Sequence, residues 1–252
     1  MNITIPQNIF SAIFALSLPD KYKDKVLIKE SSLITQELEK NRKDVALIPS
    51  LDLLKHEDLF VSKKIGISFS GILSNSYLYF IPEQTTFSKI LLKGDLSAND
   101  IILSKILFPE QFGVEPEFAI DVNPIDFTNN NYLIVGMEND TYPVTKNGIS
   151  FSEQIDGMIN LPYVNFVLAS YDQESIIEFE NDLTGINEII ENKIDEVLGR
   201  LKLDRELQSY LLNNFQSVYY DFTDIEIEGL TELLKLPYYH GITEDLVEVK
   251  YA

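Results

Sequence analysis

Short apolar and amphipathic runs alternate along the first fifty residues of the chain. Short runs that predict strands cover 2–6, 26–29 and 44–48, and the third is apolar enough for a buried strand. Between them, 9–16 is apolar enough for a buried helix, and 31–41 carries leucine and isoleucine at helical spacing. Strands that alternate with helices in this way favour a parallel sheet.

The third of these runs, DVALIPS at residues 44–50, indicates a candidate site. Its apolar stretch ends at Pro49, and a hydroxyl group on Ser50 follows at once. In open α/β sheets, ligands gather at the carboxyl ends of the strands. We therefore expect a ligand site near this strand end.

A long β-rich run, KIGISFSGILSNSYLYFI at 64–81, is suited to crossing between two lobes. It alternates imperfectly and contains Gly71, which predicts a bulge or a sharp bend. The strongly apolar run 163–169 is suited to the return crossing. We predict a discontinuous lobe I at 1–82 plus 163–252 and an inserted lobe II at 83–162. Clefts between such lobes are preferred small-molecule sites.

The remaining pattern completes an α/β fold with two mixed sheets and a helical C-terminus. Further elements are predicted as a helical turn at 51–55, a strand or short helix at 88–92, a helix at 99–108, strands at 118–120 and 132–136, and a helix at 147–160. From residue 172 to about 236 the pattern is helical, with helices at 188–201, 207–215 and 228–236.

Charge and composition exclude several classes of function. The chain has 20 Lys+Arg against 40 Asp+Glu, a net charge of −20, which repels nucleic acid and anionic membranes. We interpret the excess of acidic residues as favouring solubility. They form no local acidic block in the sequence that would indicate a surface for binding a partner. With no cysteine and two histidines, disulfides, thiolate nucleophiles and three-histidine metal sites are impossible. We expect no metal and no cofactor.

The N-terminal segment is read as a strand and a helix. Residues 1–24 lack a basic start, and Pro6, Gln7 and Asn8 interrupt the apolar stretch, unlike a signal peptide. The sequence contains no run of eighteen apolar residues. We therefore expect no membrane association and a cytoplasmic location.

Two segments allow both a structural and a ligand-binding reading. Ser97 and Asp100 form a capping box at the start of a helix, while the same helix N-terminus suits a carboxylate or phosphate ligand. The capping reading is favoured, since Asp100 already brings a negative charge. The hydroxyl-rich run containing Ser70, Gly71 and Ser74 allows close approach of a ligand, or forms an edge strand with one solvated face.

Asn8 follows the first predicted strand, where open sheets meet their ligands. It is also a good N-cap for the helix that begins there, and the capping reading is favoured. Both readings remain open from the sequence.

The ordered set of segments resembles the family of menaquinone-biosynthesis proteins that includes chorismate dehydratase, from the futalosine route. The resemblance covers nearly the whole chain and depends on the order of the motifs. The segments that carry it are NITIPQN, DVALIPS, GISFSGILSNSYLYF, SANDIILSKILF, YLIVGMEND, INLPYVNFVLAS, the stretch from Tyr210 to Tyr220, and Glu228-Gly229-Leu230.

The resemblance implies the two-lobed architecture of type II periplasmic binding proteins, and a lyase reaction. In that reaction chorismate loses water to give 3-[(1-carboxyvinyl)oxy]benzoate in the cleft. By resemblance, Asn8 assists the loss of water, and Ser50 lines the pocket. The resemblance assigns the substrate's carboxylates to Ser70, Ser74, Ser97 and Asn99, and the substrate-binding set also includes Gly71.

Several positions depart from the family pattern. Asn99-Asp100 stands where the family has Thr-Ser, Met137 where it has Asp, Leu168 where it has Trp, and Ser74 where it has Arg. Asp100 adds repulsion toward a dianion, and one cationic anchor is missing.

The partner is therefore expected to be a small anionic molecule, chorismate or a similar compound. The alternatives are a non-catalytic binding protein of the same fold with a different ligand, and an enzyme acting on another intermediate of that pathway. The oligomeric state stays open between monomer and homodimer.

Overall fold

The computed structural model describes residues 1–84, 86–141 and 148–252, which form two β-sheets covered by helices. The predicted α/β class with two mixed sheets is confirmed. The strands are β1 (Ile3–Pro6), β2 (Val26–Lys29), β3 (Val45–Pro49), β4 (Phe60–Phe69), β5 (Ser76–Tyr79), β6 (Lys89–Gly94), β7 (Glu117–Ile120), β8 (Tyr132–Val135), β9 (Ile149–Ser150), β10 (Tyr163–Ser170), β11 (Val218–Asp221) and β12 (Lys250–Tyr251).

The helices pack against these sheets, and several short 3₁₀ turns connect them. The α-helices are α1 (Ile9–Ser17), α2 (Asp20–Lys23), α3 (Ile34–Lys40), α4 (Ala98–Leu107), α5 (Phe151–Ile159), α6 (Gln173–Asp182), α7 (Ile186–Glu191), α8 (Ile194–Leu201), α9 (Arg205–Asn214) and α10 (Asp224–Tyr239). Two of the 3₁₀ turns, Ser31–Leu33 and Ser50–Leu54, come directly after or close behind strands of the first sheet.

The first sheet, which we call lobe I with its helices, has seven strands in the order β11-β4-β10-β3-β1-β2, with β12 paired to β4. Strands β1, β2 and β3 are parallel, and β10 runs antiparallel between β3 and β4. Every residue of β3 and of β10 is buried, as expected for strands covered on both faces. The carboxyl ends of β1, β2 and β3 therefore share one edge.

The second sheet, which we call lobe II with α4 and α5, has the order β7-β6-β8-β5-β9. Its strands β6, β7 and β8 are parallel, so their carboxyl ends also share an edge. The chain passes from the first sheet to the second between Phe69 and Ser76. Strand β5 therefore lies in the second sheet, although the predicted boundary at residue 82 assigns it to lobe I.

The predicted single run at 64–81 is two strands, because the backbone turns sharply at residues 70–75. Gly71 has φ +138°, a conformation that side-chain-bearing residues rarely adopt. The predicted bend at Gly71 is thus present, and it separates β4 from β5. The expected return crossing, by contrast, is one continuous strand, β10.

The helical C-terminal region differs from its prediction in two places. The predicted helix at 188–201 is divided into α7 and α8, and strand β11 interrupts the helical pattern at Val218–Asp221. Tyr220 of β11 is fully buried and stacks on Phe14 of α1 at 6.0 Å between ring centroids. Residue 147, where a predicted helix begins, lies outside the described residues; α5 begins at Phe151.

Among residues 1–84, 86–141 and 148–252, no helix combines the length and apolar character needed to cross a bilayer.

Candidate functional site

The carboxyl edges of the two sheets approach each other closely, which makes the space between the lobes the candidate site. Gly136 follows β8, and a Cβ built on it would lie 3.5 Å from the carbonyl oxygen of Gln7, which follows β1. Gln7 Nε2 also lies 3.7 Å from Met137 Sδ. These contacts join a strand end of lobe I to a strand end of lobe II.

A carboxylate of lobe II connects the lobes more strongly. The Ser31 backbone N–H and hydroxyl group donate to the two oxygens of Asp95, each at 2.7 Å. Burial raises the pKa of Asp95, and the hydrogen bonds from Ser31 act in the opposite direction. Asp95 therefore fastens the loop after β6 to the turn after β2.

Asn8 caps α1 and leaves one of its polar atoms without a partner. Its Oδ1 accepts from the backbone N–H of Ser11 at 2.8 Å, so the capping contact favoured from the sequence is present. Its Nδ2 is buried and has no hydrogen-bond partner among the described residues. The cap fixes the orientation of the amide.

A small cavity lies next to the start of α1, at the side where the chain crosses between the lobes. It is lined by residues of both lobes, including Phe10, Asn75 and Gly136, and by Tyr210 of α9. The Oδ1 atom of Asn75 is buried there without a partner. The cavity measures about 20 Å³, which is room for about one water molecule.

The capping box predicted at the start of α4 is present and involves a buried carboxyl group. The hydroxyl group of Ser97 donates to Asp100 Oδ2 at 2.6 Å, and the Ser97 backbone N–H donates to the same oxygen at 2.9 Å. Burial raises the pKa of Asp100 to about 6 in spite of these hydrogen bonds. Asp100 thus occupies the helix N-terminus at which a carboxylate ligand was considered.

Asp100→Asn will make the free energy of unfolding less dependent on pH between about pH 4 and about pH 7. Because its folded pKa is raised from 3.8 to about 6, the folded chain retains a proton that the unfolded chain has released. Stability is therefore lost as pH rises through this window, by about 3 kcal/mol from this one group. Urea denaturation of both chains across the window measures the difference, and equal pH slopes would contradict the assignment.

Asn99 and Ser50 connect α4 to lobe I, and neither is exposed. Asn99 Nδ2 donates to the backbone oxygen and to Oδ1 of Asn165, at 2.7 and 2.9 Å, and Asn99 Oδ1 accepts from the Leu51 backbone N–H at 2.8 Å. The hydroxyl group of Ser50 donates to the Val164 carbonyl at 2.6 Å. Both ends of the Asn99 amide are thus occupied by the protein itself, and its predicted role as a carboxylate ligand stays a prediction.

The crossing residues hold the segment between β4 and β5 in place. Ser70 Oγ donates to Asp156 Oδ2 at 3.0 Å, and a Cβ on Gly71 would lie 3.1 Å from Ser217 Cβ. Ser74 Oγ lies 2.7 Å from Ser152 Oγ and also accepts from the backbone N–H groups of Ser76 and Ser152, each at 3.1 Å. Their predicted contacts with substrate remain untested.

Beyond these contacts, an open groove of about 710 Å³ lies between the lobes. We call it the outer groove. Its walls come from the carboxyl ends of five parallel strands and contain Gln7 and Glu30 of lobe I, together with Lys93, Asp95, Leu96, Ile120, Asp121, Val122, Met137 and Glu138 of lobe II. Lys93 donates to the carbonyl oxygen of Asn123 at 2.8 Å.

Sequence reasoning missed the residues of the outer groove, although a signal for them was present. Glu30 directly follows β2 and Asp121 directly follows β7, so each carboxylate stands at a strand end. The sequence pattern alone did not indicate that these two strand ends face one another. Three exposed apolar side chains, Ile120, Val122 and Met137, complete the rim.

Within the same described ranges, no group of three or more His, Asp or Glu side chains is arranged to hold a metal ion.

The fold is shared with several solved structures at low sequence identity. The periplasmic aliphatic sulphonate-binding protein SsuA from Escherichia coli matches with a TM-score of 0.66 and 11% identity, over 99% of this chain and 95% of that chain. Protein AF1704 from Archaeoglobus fulgidus matches with a TM-score of 0.65 and 14% identity, over 96% and 98%. A zinc-bound ligand-binding component of an ABC-type import system from Staphylococcus aureus matches with 0.62 and 12%, over 99% and 96%.

No protein-family model matches the chain, and no curated protein matches it in sequence. The structural likeness therefore establishes the fold. The predicted two-lobed, periplasmic-binding-protein-like architecture is confirmed by these neighbours.

Proposed function

We propose that this protein binds a small organic molecule between its two lobes, in the outer groove. The observation that carries the proposal is a groove of about 710 Å³ at the carboxyl ends of five parallel strands. Its size lies within the range of small-molecule sites, and its position is where open α/β sheets receive their ligands. Two structural neighbours are named for what they bind, an aliphatic sulphonate and zinc, which supports a binding role for this fold.

The charge of the groove favours a cationic ligand over a dianion. Glu30, Asp95 and Asp121 line it, against a single lysine, Lys93, among the described lining residues. Nearby contacts lower the pKa of Asp121, chiefly hydrogen bonding from Asn123, which keeps that carboxylate charged. The exposed apolar rim adds hydrocarbon contact. An organic ammonium compound therefore fits the groove better than a dicarboxylate such as chorismate.

Spermidine is a suitable first probe, and we expect it to bind the wild-type chain more tightly than chorismate does. The double variant Glu30→Gln/Asp121→Asn will weaken spermidine binding about tenfold, since each exposed charge contributes at most about 1 kcal/mol. Titration calorimetry at low salt measures both effects. The matched control is Glu57→Gln, an exposed carboxylate that does not line the groove.

A fluorescent side chain placed at the groove tests where the ligand binds. The chain contains no tryptophan, so Met137→Trp introduces a single indole at the rim of the groove. Spermidine should change its emission and leave unchanged that of Ile225→Trp, an exposed position on α10. Equal responses, or no binding of any cation, would argue against the outer groove.

A second candidate function, chorismate dehydration, is supported by the sequence resemblance and by the unpaired Nδ2 of buried Asn8. The internal contacts of Asn99 and the buried Asp100 weigh against it, because they occupy positions that the resemblance assigns to carboxylates. Incubation with chorismate and chromatographic detection of 3-[(1-carboxyvinyl)oxy]benzoate tests this reaction directly.

The variant Asn8→Asp separates catalysis from folding in that assay. An aspartate at this position retains an oxygen for the Ser11 N–H and so preserves the cap, but it removes the free donor. If the wild-type chain forms the product, this variant should form much less of it. Absence of product with the wild-type chain removes the second candidate and leaves the binding proposal unaffected.

A further inference from the structure

A second cavity, of about 490 Å³, lies where α4 meets the turn Ser50–Leu54. We call it the amine cavity. Its walls come from lobe I, from α4 of lobe II and from the segment after α10. The side chains of Leu51, Leu54, Ile102 and Ile242 make much of this wall apolar. The cavity is of a size that holds small ligands. Among the described lining residues, it shares only Ser32 with the outer groove, which Ser32 also lines.

One carboxylate in this cavity, that of Asp52, forms no direct ion pair with a described residue. Asp52 is partly buried, and its Oδ2 accepts a hydrogen bond from Thr35 Oγ1 at 2.5 Å. Desolvation raises the pKa of Asp52, although the hydrogen bond from Thr35 and the charges of His56 and Lys55 act in the opposite direction. A partly buried charge in this state is costly, and a ligand cation would offset that cost.

We propose that the amine cavity is a binding site for a monoammonium compound with a short hydrocarbon chain. An ammonium group has three donors, and Asp52, Thr35 and Ser32 are oxygen-bearing side chains among the residues that line the cavity. The hydrocarbon chain would lie against the leucine and isoleucine side chains.

The positive charge of a lysine that lines the cavity should make the site distinguish monoamines from diamines. Lys55 and His56 also line it, and both act on Asp52 electrostatically. A second cationic group on the ligand would meet Lys55 and be repelled. The site should therefore prefer a monoamine to a diamine of the same length, unlike the outer groove with its several carboxylates.

Binding of n-hexylammonium to the full chain, measured by titration calorimetry near neutral pH, tests the proposal. We expect it to bind more tightly than 1-hexanol, hexanoate and 1,6-diaminohexane, which share its length but differ in charge. Asp52→Asn retains an acceptor for Thr35 and should weaken hexylammonium binding by about 10- to 100-fold, the usual effect of losing a hydrogen bond to a charged group. Asp58→Asn, an exposed carboxylate outside the cavity, should leave binding unchanged.

Ile102→Trp provides a second variant, because the larger side chain takes up part of the cavity and should weaken hexylammonium binding. Unliganded thermal unfolding of each variant establishes that it is folded. The proposal is overturned if hexanol binds as tightly as hexylammonium, if Asp52→Asn binds as the wild-type chain does, or if the wild-type chain does not bind at millimolar concentration. The groove variant Glu30→Gln/Asp121→Asn should bind hexylammonium normally, which keeps this outcome independent of the outer groove.

Discussion

Replacing Gly94 with alanine will lower the free energy of unfolding by on the order of 3 kcal/mol or more. Gly94 ends β6 with φ +96°, and a Cβ built on it would lie 2.0 Å from the carbonyl oxygen of Val135. That oxygen belongs to the paired strand β8, so it cannot move without disturbing the second sheet. Chemical denaturation followed by circular dichroism measures the loss.

Gly113→Ala is the matched control for this prediction. Gly113 also has a positive φ, +65°, but no atom lies within 4 Å of the place where its Cβ would be. Its replacement should cost only about 1 kcal/mol, the conformational part of the penalty. Similar losses in the two variants would mean that the close approach of β6 to β8 is unimportant.

Replacing Asn99 with alanine will also destabilise the protein, by about 3 kcal/mol. The substitution removes three hydrogen bonds and leaves the Leu51 N–H and the polar groups of Asn165 buried without these partners. Each stranded buried group costs about 1–3 kcal/mol. Because these bonds join α4 to lobe I, the variant should also show faster amide hydrogen exchange at Leu51.

The control is Asn213→Ala, at an exposed position of α9, which should change stability by less than about 0.5 kcal/mol. The same experiment decides between two roles for Asn99. A residue that only binds a carboxylate would leave stability intact when truncated, whereas a residue that connects the lobes would not. Unchanged stability of Asn99→Ala would therefore restore the ligand-binding prediction.

Local patterns were sufficient for the elements whose determinants lie within a few residues. Strand β2 has the predicted bounds, and the capping contacts of Asn8 and Ser97 follow from residues three positions away. Local patterns were not sufficient for the run at 64–81 or for strand β11. A β-rich run with a glycine predicts a bend but not that its two halves join different sheets, and Tyr220 is buried only because α1 packs over it.

The candidate site likewise has some features that local sequence determines and others that depend on tertiary contacts. The sequence by itself determined that DVALIPS is a buried strand with a hydroxyl group at its end, and that polar residues follow several strands. Only the tertiary structure decided which of those polar groups are used internally and which face open space. Ser50 and Asn99 meet partners 114 and 66 residues away, whereas Glu30 and Asp121 remain at a groove. The reason is physical: capping and periodicity are local, but hydrogen-bond saturation and the charge of a cleft depend on segments that folding brings together.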